Sequence, residues 1–147
     1  MIRLLTDLDS VYRFDVPASS ALIAADTAVS GTWVKKVGDE LVFPTAGSAG
    51  AMQIITDSNR DGSVGWTPDV GASLITQLTV LLGKYRAVTD QFTGVINAGD
   101  SLKVNAEGKV VAVTDPAADA TVAVCTKASF EYTHLGKKTN VIEYIVQ

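Results

Sequence analysis

One short segment of this 147-residue chain has the spacing of a calcium-binding loop. Asp57, Asn59 and Asp61 place side-chain oxygens at alternate positions, and Gly62 follows them, as in the D-x-N-x-D-G core of an EF-hand loop. Such a loop needs a bidentate glutamate at its twelfth position, where this chain has Pro68, and no helical pattern flanks it. Asp, Asn and Gly also form turns through their own backbone preferences. We therefore predict a structural turn here, no metal site and no cofactor.

The residues that could act as nucleophile or base are few. His134 is the single histidine, and any Ser–His or Cys–His mechanism would require it as the base. No acid or nucleophile stands at a spacing that marks a triad, and Phe130, Tyr132 and His134 alternate as on one face of a strand. Cys125 ends the apolar run VAVC, where a cysteine behaves as a small buried hydrophobe. We predict no catalytic residues and no enzymatic activity.

Composition and charge argue against nucleic acid as a partner. The net charge is −4, and the twelve basic residues are dispersed, with Lys35-Lys36 and Lys137-Lys138 as the only doublets. A nucleic-acid footprint requires a basic stripe or patch, which this distribution does not provide. Hydrophobic residues make up 47% of the chain and charged residues only 19%, which suggests that neighbouring subunits cover some apolar surface.

The sequence also argues against a membrane segment or an export signal. The first ten residues carry Asp7 and Asp9 and no long apolar stretch, unlike a secretory signal peptide. The alanine-rich run 18–29 is interrupted by Asp26 and is far shorter than a membrane span. The segment 18–31 suits either a short helix, through its alanines, or a loop, through its flanking Ser, Thr and Gly. We expect no membrane partner.

Alternating apolar and polar residues predict β-strands in the N-terminal half. Tyr12, Phe14 and Val16 share one face of a strand over residues 11–16, and residues 33–43 form a hairpin around Gly38. Residues 45–71 are rich in Gly, Ser, Asp, Thr and Pro and predict a long surface loop containing one strand at 52–56. Over residues 74–82 the leucines fit helical and strand spacing alike, and the Thr and Val content favours a strand. Gly83 would then be a bulge or a close backbone approach.

The C-terminal third has the clearest strand pattern. Asn105 to Gly108 fits a hairpin loop in which Gly108 supplies a positive φ angle, and Ile142, Tyr144 and Val146 form the apolar face of the last strand. Eight to ten short strands predict an all-β fold, either a small β-barrel or a β-sandwich. We expect residues 61–147 to form a compact β domain. Residues 1–60 form an N-terminal arm, or strands of the same domain, and the start of the long loop.

Three aromatic residues are candidates for a subunit interface. Trp33 and Trp66 each lie beside Gly or Thr at the edge of a predicted element, and Tyr85 follows the leucine-rich strand. Each tryptophan is either a core residue or an anchor for a neighbour, since aromatic residues are over-represented in interface hot spots.

The order of the C-terminal segments resembles that of a known class of proteins. GSVGWTPDV, TVLLGKYRAVTDQF, AGDSLKVNAEGKVV, AVCTK and the terminal strand VIEYIVQ follow one another as in the capsid decoration (cement) proteins of tailed bacteriophages. The resemblance is one of layout and covers residues 62–147. It implies a compact β-barrel or β-sandwich that is not an enzyme.

The same resemblance implies a place in the virion. Decoration proteins bind the outside of the assembled head in many copies, as trimers or dimers, and bridge neighbouring major capsid proteins. It implies assembly in the host cytoplasm, with the major capsid protein and further copies of this chain as partners. Residues 1–16 and the loop at 45–71 are expected to reach those neighbours, because the C-terminal strands are needed to close the core.

Two other classes of function remain open at this point. One is a different phage structural protein, such as a tail-tube, baseplate or head-fibre protein. The other is a small glycan- or ligand-binding β module, for which exposed tryptophans would be the evidence.

Overall fold

The chain folds into two antiparallel β-sheets. A computed structural model describes residues 2–6, 11–24, 30–55, 77–134 and 136–147, with the backbone alone at 77 and 134. Within these residues there is one helix, α1 (Ser20–Ala24), and eleven strands. The strands are β1 (Ile2–Leu4), β2 (Tyr12–Pro17), β3 (Trp33–Val37), β4 (Glu40–Val42), β5 (Ala51–Ile54), β6 (Gln77–Leu82), β7 (Arg86–Thr89), β8 (Ser101–Val104), β9 (Val110–Ala112), β10 (Ala123–His134) and β11 (Lys137–Val146).

The strand order mixes the N-terminal and C-terminal halves of the chain. The six-stranded sheet runs β1-β7-β11-β10-β8-β9, and the five-stranded sheet runs β2-β6-β5-β3-β4. The all-β prediction is confirmed, and the arrangement is that of a β-sandwich. The strands number eleven in the described residues rather than eight to ten, and two of them, β10 and β11, are long, with 12 and 10 residues.

Both sheets curl. Ala18, just after β2, forms a parallel bridge with Leu41 on β4, the strand at the opposite side of the five-stranded sheet. In the six-stranded sheet, Phe92 follows β7 and bridges Val110 on β9 in the same way. In each case the backbone just after one strand pairs with a strand near the opposite edge of the same sheet. This pairing covers backbone N–H and C=O groups that an open edge would leave unpaired.

The middle of the five-stranded sheet is buried on both faces, and strand alternation explains why. On β3, Trp33 belongs to the core between the two sheets, whereas Val34 belongs to a second core enclosed by the curled sheet. On β6, Leu81 and Val80 are divided in the same way. Helix α1 covers the second core with Leu22.

The short helix begins for a local reason. The hydroxyl oxygen of Ser19 accepts a hydrogen bond from the backbone N–H of Leu22 at 3.3 Å, which satisfies one of the free donors of the first turn. The run after it is rich in alanine, the residue with the highest helix propensity. Of the two structures that this run suits, residues 20–24 therefore adopt the helix.

Most strand predictions are confirmed. The hairpin of β3 and β4 turns at Gly38-Asp39, β5 overlaps the predicted strand at 52–56, and residues 77–82 form a strand rather than a helix. Gly83 is neither a bulge nor a close approach. It follows the last pair of the β2–β6 ladder with a φ of 110°, and a Cβ added there would meet no neighbouring atom within 4 Å.

The N-terminal segment is part of the sandwich and not an arm. β1 pairs with β7 and β2 pairs with β6, so residues near the start of the chain complete strands from its second half. Ile2 and Val11 are buried in the core between the sheets. The expectation that residues 1–16 act as an arm is therefore wrong for the part that the structure describes, because that part is needed to complete both sheets.

Candidate interaction surface

Two of the three predicted interface aromatics lie in the core. Trp33 is 1% exposed and Tyr85 is 3% exposed, so neither side chain can anchor a neighbouring subunit. Their burial corrects the interface prediction and removes Trp33 from the argument for glycan binding. Trp66 lies outside the described residues, as do the calcium candidates Asp57, Asn59 and Asp61.

Tyr85 instead belongs to a polar junction between the sheets, which we call the glutamine clamp (Gln53, Tyr85 and Tyr144). The hydroxyls of Tyr85 and Tyr144 both donate to Oε1 of the buried Gln53, at 2.9 and 2.5 Å. Nε2 of Gln53 donates to the carbonyl of Gly31 at 2.8 Å. Burial raises the pKa of both phenols, so they remain neutral donors.

A tight turn adds a second connection between the sheets. The backbone N–H of Trp33 donates to the carbonyl of Gly108 at 2.7 Å, which joins β3 to the β8–β9 turn. The Trp33 ring lies 6.4 Å from the Tyr144 ring, centroid to centroid, at 52°. Within the described residues the Trp33 indole N–H has no hydrogen-bond partner. These contacts fix the two sheets relative to each other.

The structure places the two residues that were considered for catalysis in different surroundings, Cys125 in the core and the backbone of His134 at the end of β10. Burial raises the pKa of the Cys125 thiol, which lowers its reactivity, and its sulfur lies 3.2 Å from the carbonyl of Lys127. His134 ends β10 and pairs with Lys137 across the turn. Over the ranges that the structure describes, no three His, Cys, Asp or Glu side chains form a group that could hold a metal ion.

Among the residues that the structure describes, β10 and β11 form the longest hairpin, which extends beyond the strands on either side of it. β8 pairs with β10 only at Ala123 and Val124, and β7 pairs with β11 only over residues 142–145. Past these positions, residues 130–134 and 137–141 pair only with each other among the described strands. We call this two-stranded segment the distal ribbon.

The distal ribbon bends where it leaves the sheet. The β10–β11 register shifts twice, between Cys125 and Lys127 and between Lys127 and Phe130, and such bulges bend a strand and increase its twist. The ribbon then contacts β1, where Arg3 donates a hydrogen bond to the hydroxyl of Tyr132. The ammonium of Lys127 lies 3.9 Å from the centroid of the Phe130 ring, within cation–π range.

The ribbon and its root are positive in a protein that is negative as a whole. Residues 127–141 contain Lys127, Lys137 and Lys138 against Glu131, a charge of +2, so the remaining residues must sum to −6 to give the total of −4. At the root, burial alone would raise the pKa of Glu143, but hydrogen bonds from Thr126 and Arg86 outweigh it and lower that pKa. Arg86 neutralises the carboxylate at 2.6 Å.

The ribbon is only partly visible in the sequence. The alternation of Phe130, Tyr132 and His134 predicts a strand, and Lys137-Lys138 is one of two lysine doublets in the chain. The length by which β10 and β11 extend beyond β7 and β8 depends on pairing between segments that are distant in the sequence. No local pattern carries that information.

A second surface feature lies at the seam between the sheets. This seam groove has a volume of about 410 Å³, within the range of protein ligand pockets. Met52, Leu82 and Val146 are the accessible apolar side chains of its lining, and Lys84 is exposed in the linker between β6 and β7. No carboxylate in the described part of the chain forms an ion pair with Lys84.

Comparisons with protein-family models, with curated proteins and with solved structures find no match to this chain. No helix in the described ranges has the length and apolar character to cross a membrane.

Proposed function

We propose that this protein decorates the outside of a phage head, where it binds the major capsid protein and bridges neighbouring capsid subunits. The proposal joins the layout of residues 62–147 to two features of the fold. One is a cross-braced β-sandwich, and the other is the distal ribbon, which offers contacts away from that body.

The body is suited to carrying mechanical load between neighbours. The glutamine clamp and the Trp33–Gly108 hydrogen bond join the two sheets through buried groups. Removing one partner of a buried hydrogen bond leaves the other unsatisfied, so such junctions hold one geometry. A rigid body transmits strain from one capsid subunit to the next.

The ribbon is suited to binding an acidic protein surface. Its positive charge and the half-buried rings of Phe130 and Tyr132 combine the two features that interfaces favour, aromatic contact area and complementary charge. Lys137 and Lys138 stand exposed at the turn. Lys138 forms an ion pair with Glu131 across the ribbon at 2.7 Å, and Lys137 can meet carboxylates of another protein. The ribbon, positive and extending past its neighbouring strands, is the single observation that carries the proposal.

Many equivalent contacts make a modest ribbon interaction sufficient. A subunit held at one capsid site presents its other surfaces at high effective concentration to the next site, so the combined affinity exceeds that of either contact. Multivalent attachment of this kind fits a decoration protein and does not require one large interface.

The test mixes the purified protein with heads that lack it, then measures co-sedimentation and the temperature at which the heads disrupt. We expect wild-type protein to co-sediment and to raise that temperature. Replacing Lys137 and Lys138 with Gln should weaken binding at least about tenfold, because the ribbon loses two positive charges and the carboxylate of Glu131, which pairs with Lys138, is left to repel an acidic partner. Lys35→Gln with Lys36→Gln is the matched control, since it changes the net charge equally at the other lysine doublet.

Each outcome of this test bears on the proposal. Absence of co-sedimentation overturns it, and binding to purified tails or baseplates in place of heads would assign the protein to another part of the virion. If both doublet variants weakened binding to heads equally, the effect would come from net charge, and the assignment of the ribbon as the capsid-binding surface would be refuted.

A further inference from the structure

The seam groove and the tip of the β3–β4 hairpin are complementary in chemistry. The groove is lined mainly by apolar side chains and has the ammonium of Lys84 in its lining. At the hairpin tip, Val37 is 58% exposed although it is apolar. Val37 and Glu40 are direct partners across the two strands, so methyl groups and a carboxylate lie side by side. The tip thus offers an apolar side chain that can pack against the lining and a carboxylate that can pair with Lys84.

A chain cannot insert its own tip into its own groove. Trp33, the first residue of β3, lines the groove, and Val37, the last, lies at the opposite end of that strand. Four residue steps along β3 separate the two by about 13 Å. Ala51, which also lines the groove, pairs with Lys35, so the tip would have to fold back onto its own strand to enter the groove. Only a second copy can bring a tip to this groove.

We propose that copies of this protein associate head to tail, with the β3–β4 tip of one copy seated in the seam groove of the next. Val37 packs against the apolar lining, and Glu40 pairs with Lys84. The two surfaces differ, so the contact is heterologous and generates a ring when the rotation between copies closes. The inference concerns self-association alone and holds with or without a capsid.

The rim of the groove enlarges this contact. Leu82 lines the groove and is 50% exposed, and its cross-strand partner Tyr12 is 74% exposed. Exposed apolar side chains that adjoin one another mark interaction surfaces more often than scattered ones do. A seated tip would cover this pair as well as the groove.

Charge reversal tests the pairing directly. Sedimentation velocity of the full chain should show concentration-dependent association for wild type, weakened at least about tenfold by Lys84→Glu alone or by Glu40→Lys alone. Both residues are exposed, so neither variant is expected to unfold. In the double variant every interface again joins opposite charges, and association should return.

Cross-linking gives a second, independent readout. Val37→Cys with Leu82→Cys should yield disulfide-linked multimers on mild oxidation, because the two positions meet between copies and lie too far apart for a bond within one copy. Val37→Cys with Val95→Cys is the control, since Val95 is 85% exposed and lies outside the groove. A monomeric wild type, failure of the double charge variant to restore association, or equal cross-linking of both cysteine pairs would overturn the proposal.

Discussion

The hydroxyl of Tyr144 donates a 2.5 Å hydrogen bond to Oε1 of Gln53, and this bond joins the two sheets at their centre. Tyr144 belongs to β11 of the six-stranded sheet and Gln53 to β5 of the five-stranded sheet. Both side chains are fully buried. A glutamine among apolar neighbours is stable here because Tyr85, Tyr144 and Gly31 satisfy its amide, and buried polar groups are costly without such partners.

Replacing the glutamine should therefore cost more than removing one hydroxyl. Gln53→Leu leaves two buried phenols without their acceptor, and we expect the free energy of unfolding to fall by about 3 kcal/mol or more. Tyr144→Phe removes one donor and leaves Oε1 bonded to Tyr85, so about 1 kcal/mol should be lost. Urea unfolding of the two variants measures both values. An equal or smaller loss for Gln53→Leu would show that the clamp does not brace the sandwich.

The clamp also predicts how stability depends on alkaline pH. Burial raises the pKa of both Tyr85 and Tyr144 above the ordinary value of 10.0. The pKa of Tyr85 is raised further by the nearby phenol of Tyr144. Above that pH the unfolded chain releases these protons while the folded protein keeps them. The stability that the two phenols contribute is thus complete below pH 10 and is lost as the pH rises.

The slope gives a measurable quantity. Each phenol should lower the free energy of unfolding by about 1.4 kcal/mol per pH unit above its unfolded pKa. Unfolding curves collected across this range for wild type and Tyr144→Phe should differ in slope by that amount, since the variant lacks one titrating group. Parallel curves would contradict the inference that Tyr144 stays neutral in the folded protein.

Much of this fold could be predicted from local pattern, and the clamp shows where local pattern ends. The apolar face of the last strand, with Ile142, Tyr144 and Val146, follows from period-two alternation. Nothing near Gln53 indicates that two tyrosines from distant strands share its oxygen. Residue type alone leaves Trp33 and Tyr85 as candidates for surface anchors, whereas their burial depends on which sheet packs against which.

Gly108 is a second residue whose turn conformation follows from local sequence but whose tertiary contact does not, and that contact yields a prediction. Its positive φ of 74° follows from the hairpin loop, but its contact with the other sheet does not. A Cβ at this position would lie 2.5 Å from the carbonyl oxygen of Trp33 and 2.6 Å from Cγ2 of Thr32. Gly108→Ala must therefore separate the β8–β9 turn from β3.

A matched glycine isolates the effect of that contact. Gly94 has a similar φ of 81°, with no atom within 4 Å of the Cβ site, so Gly94→Ala measures backbone strain alone, about 1–2 kcal/mol. We expect Gly108→Ala to lower the free energy of unfolding by at least about 2 kcal/mol more, as overpacking does. Similar losses for the two variants would mean that the turn moves away from Trp33 with little loss of stability.

The start of the chain should contribute to stability through Ile2. This side chain is 2% exposed and packs in the core between the sheets, whereas Leu5, just after the same strand, is 45% exposed. Ile2→Ala should lower the free energy of unfolding by about 2–4 kcal/mol, and Leu5→Ala by less than about 0.5 kcal/mol. If both changes were neutral in thermal unfolding, the N-terminal segment would be an arm after all.

The distal ribbon should be separable from the body of the protein. β7 and β8 pair with β10 and β11 only over residues 123–124 and 142–145, so removal of the ribbon leaves those ladders intact. Replacing residues 131–140 with Asn-Gly joins the directly opposed Phe130 and Val141 by a two-residue turn of the type that hairpins favour.

We expect this shortened protein to unfold within a few degrees of wild type, because it loses mainly exposed side chains and the Arg3–Tyr132 contact. Its binding to undecorated heads should fall to background, since the positive ribbon is gone. Circular dichroism with heating and co-sedimentation measure the two effects. A shortened protein that folds and still binds heads would place the capsid-binding surface elsewhere, whereas one that fails to fold would show that the ribbon braces the sandwich through Tyr132 and Arg3.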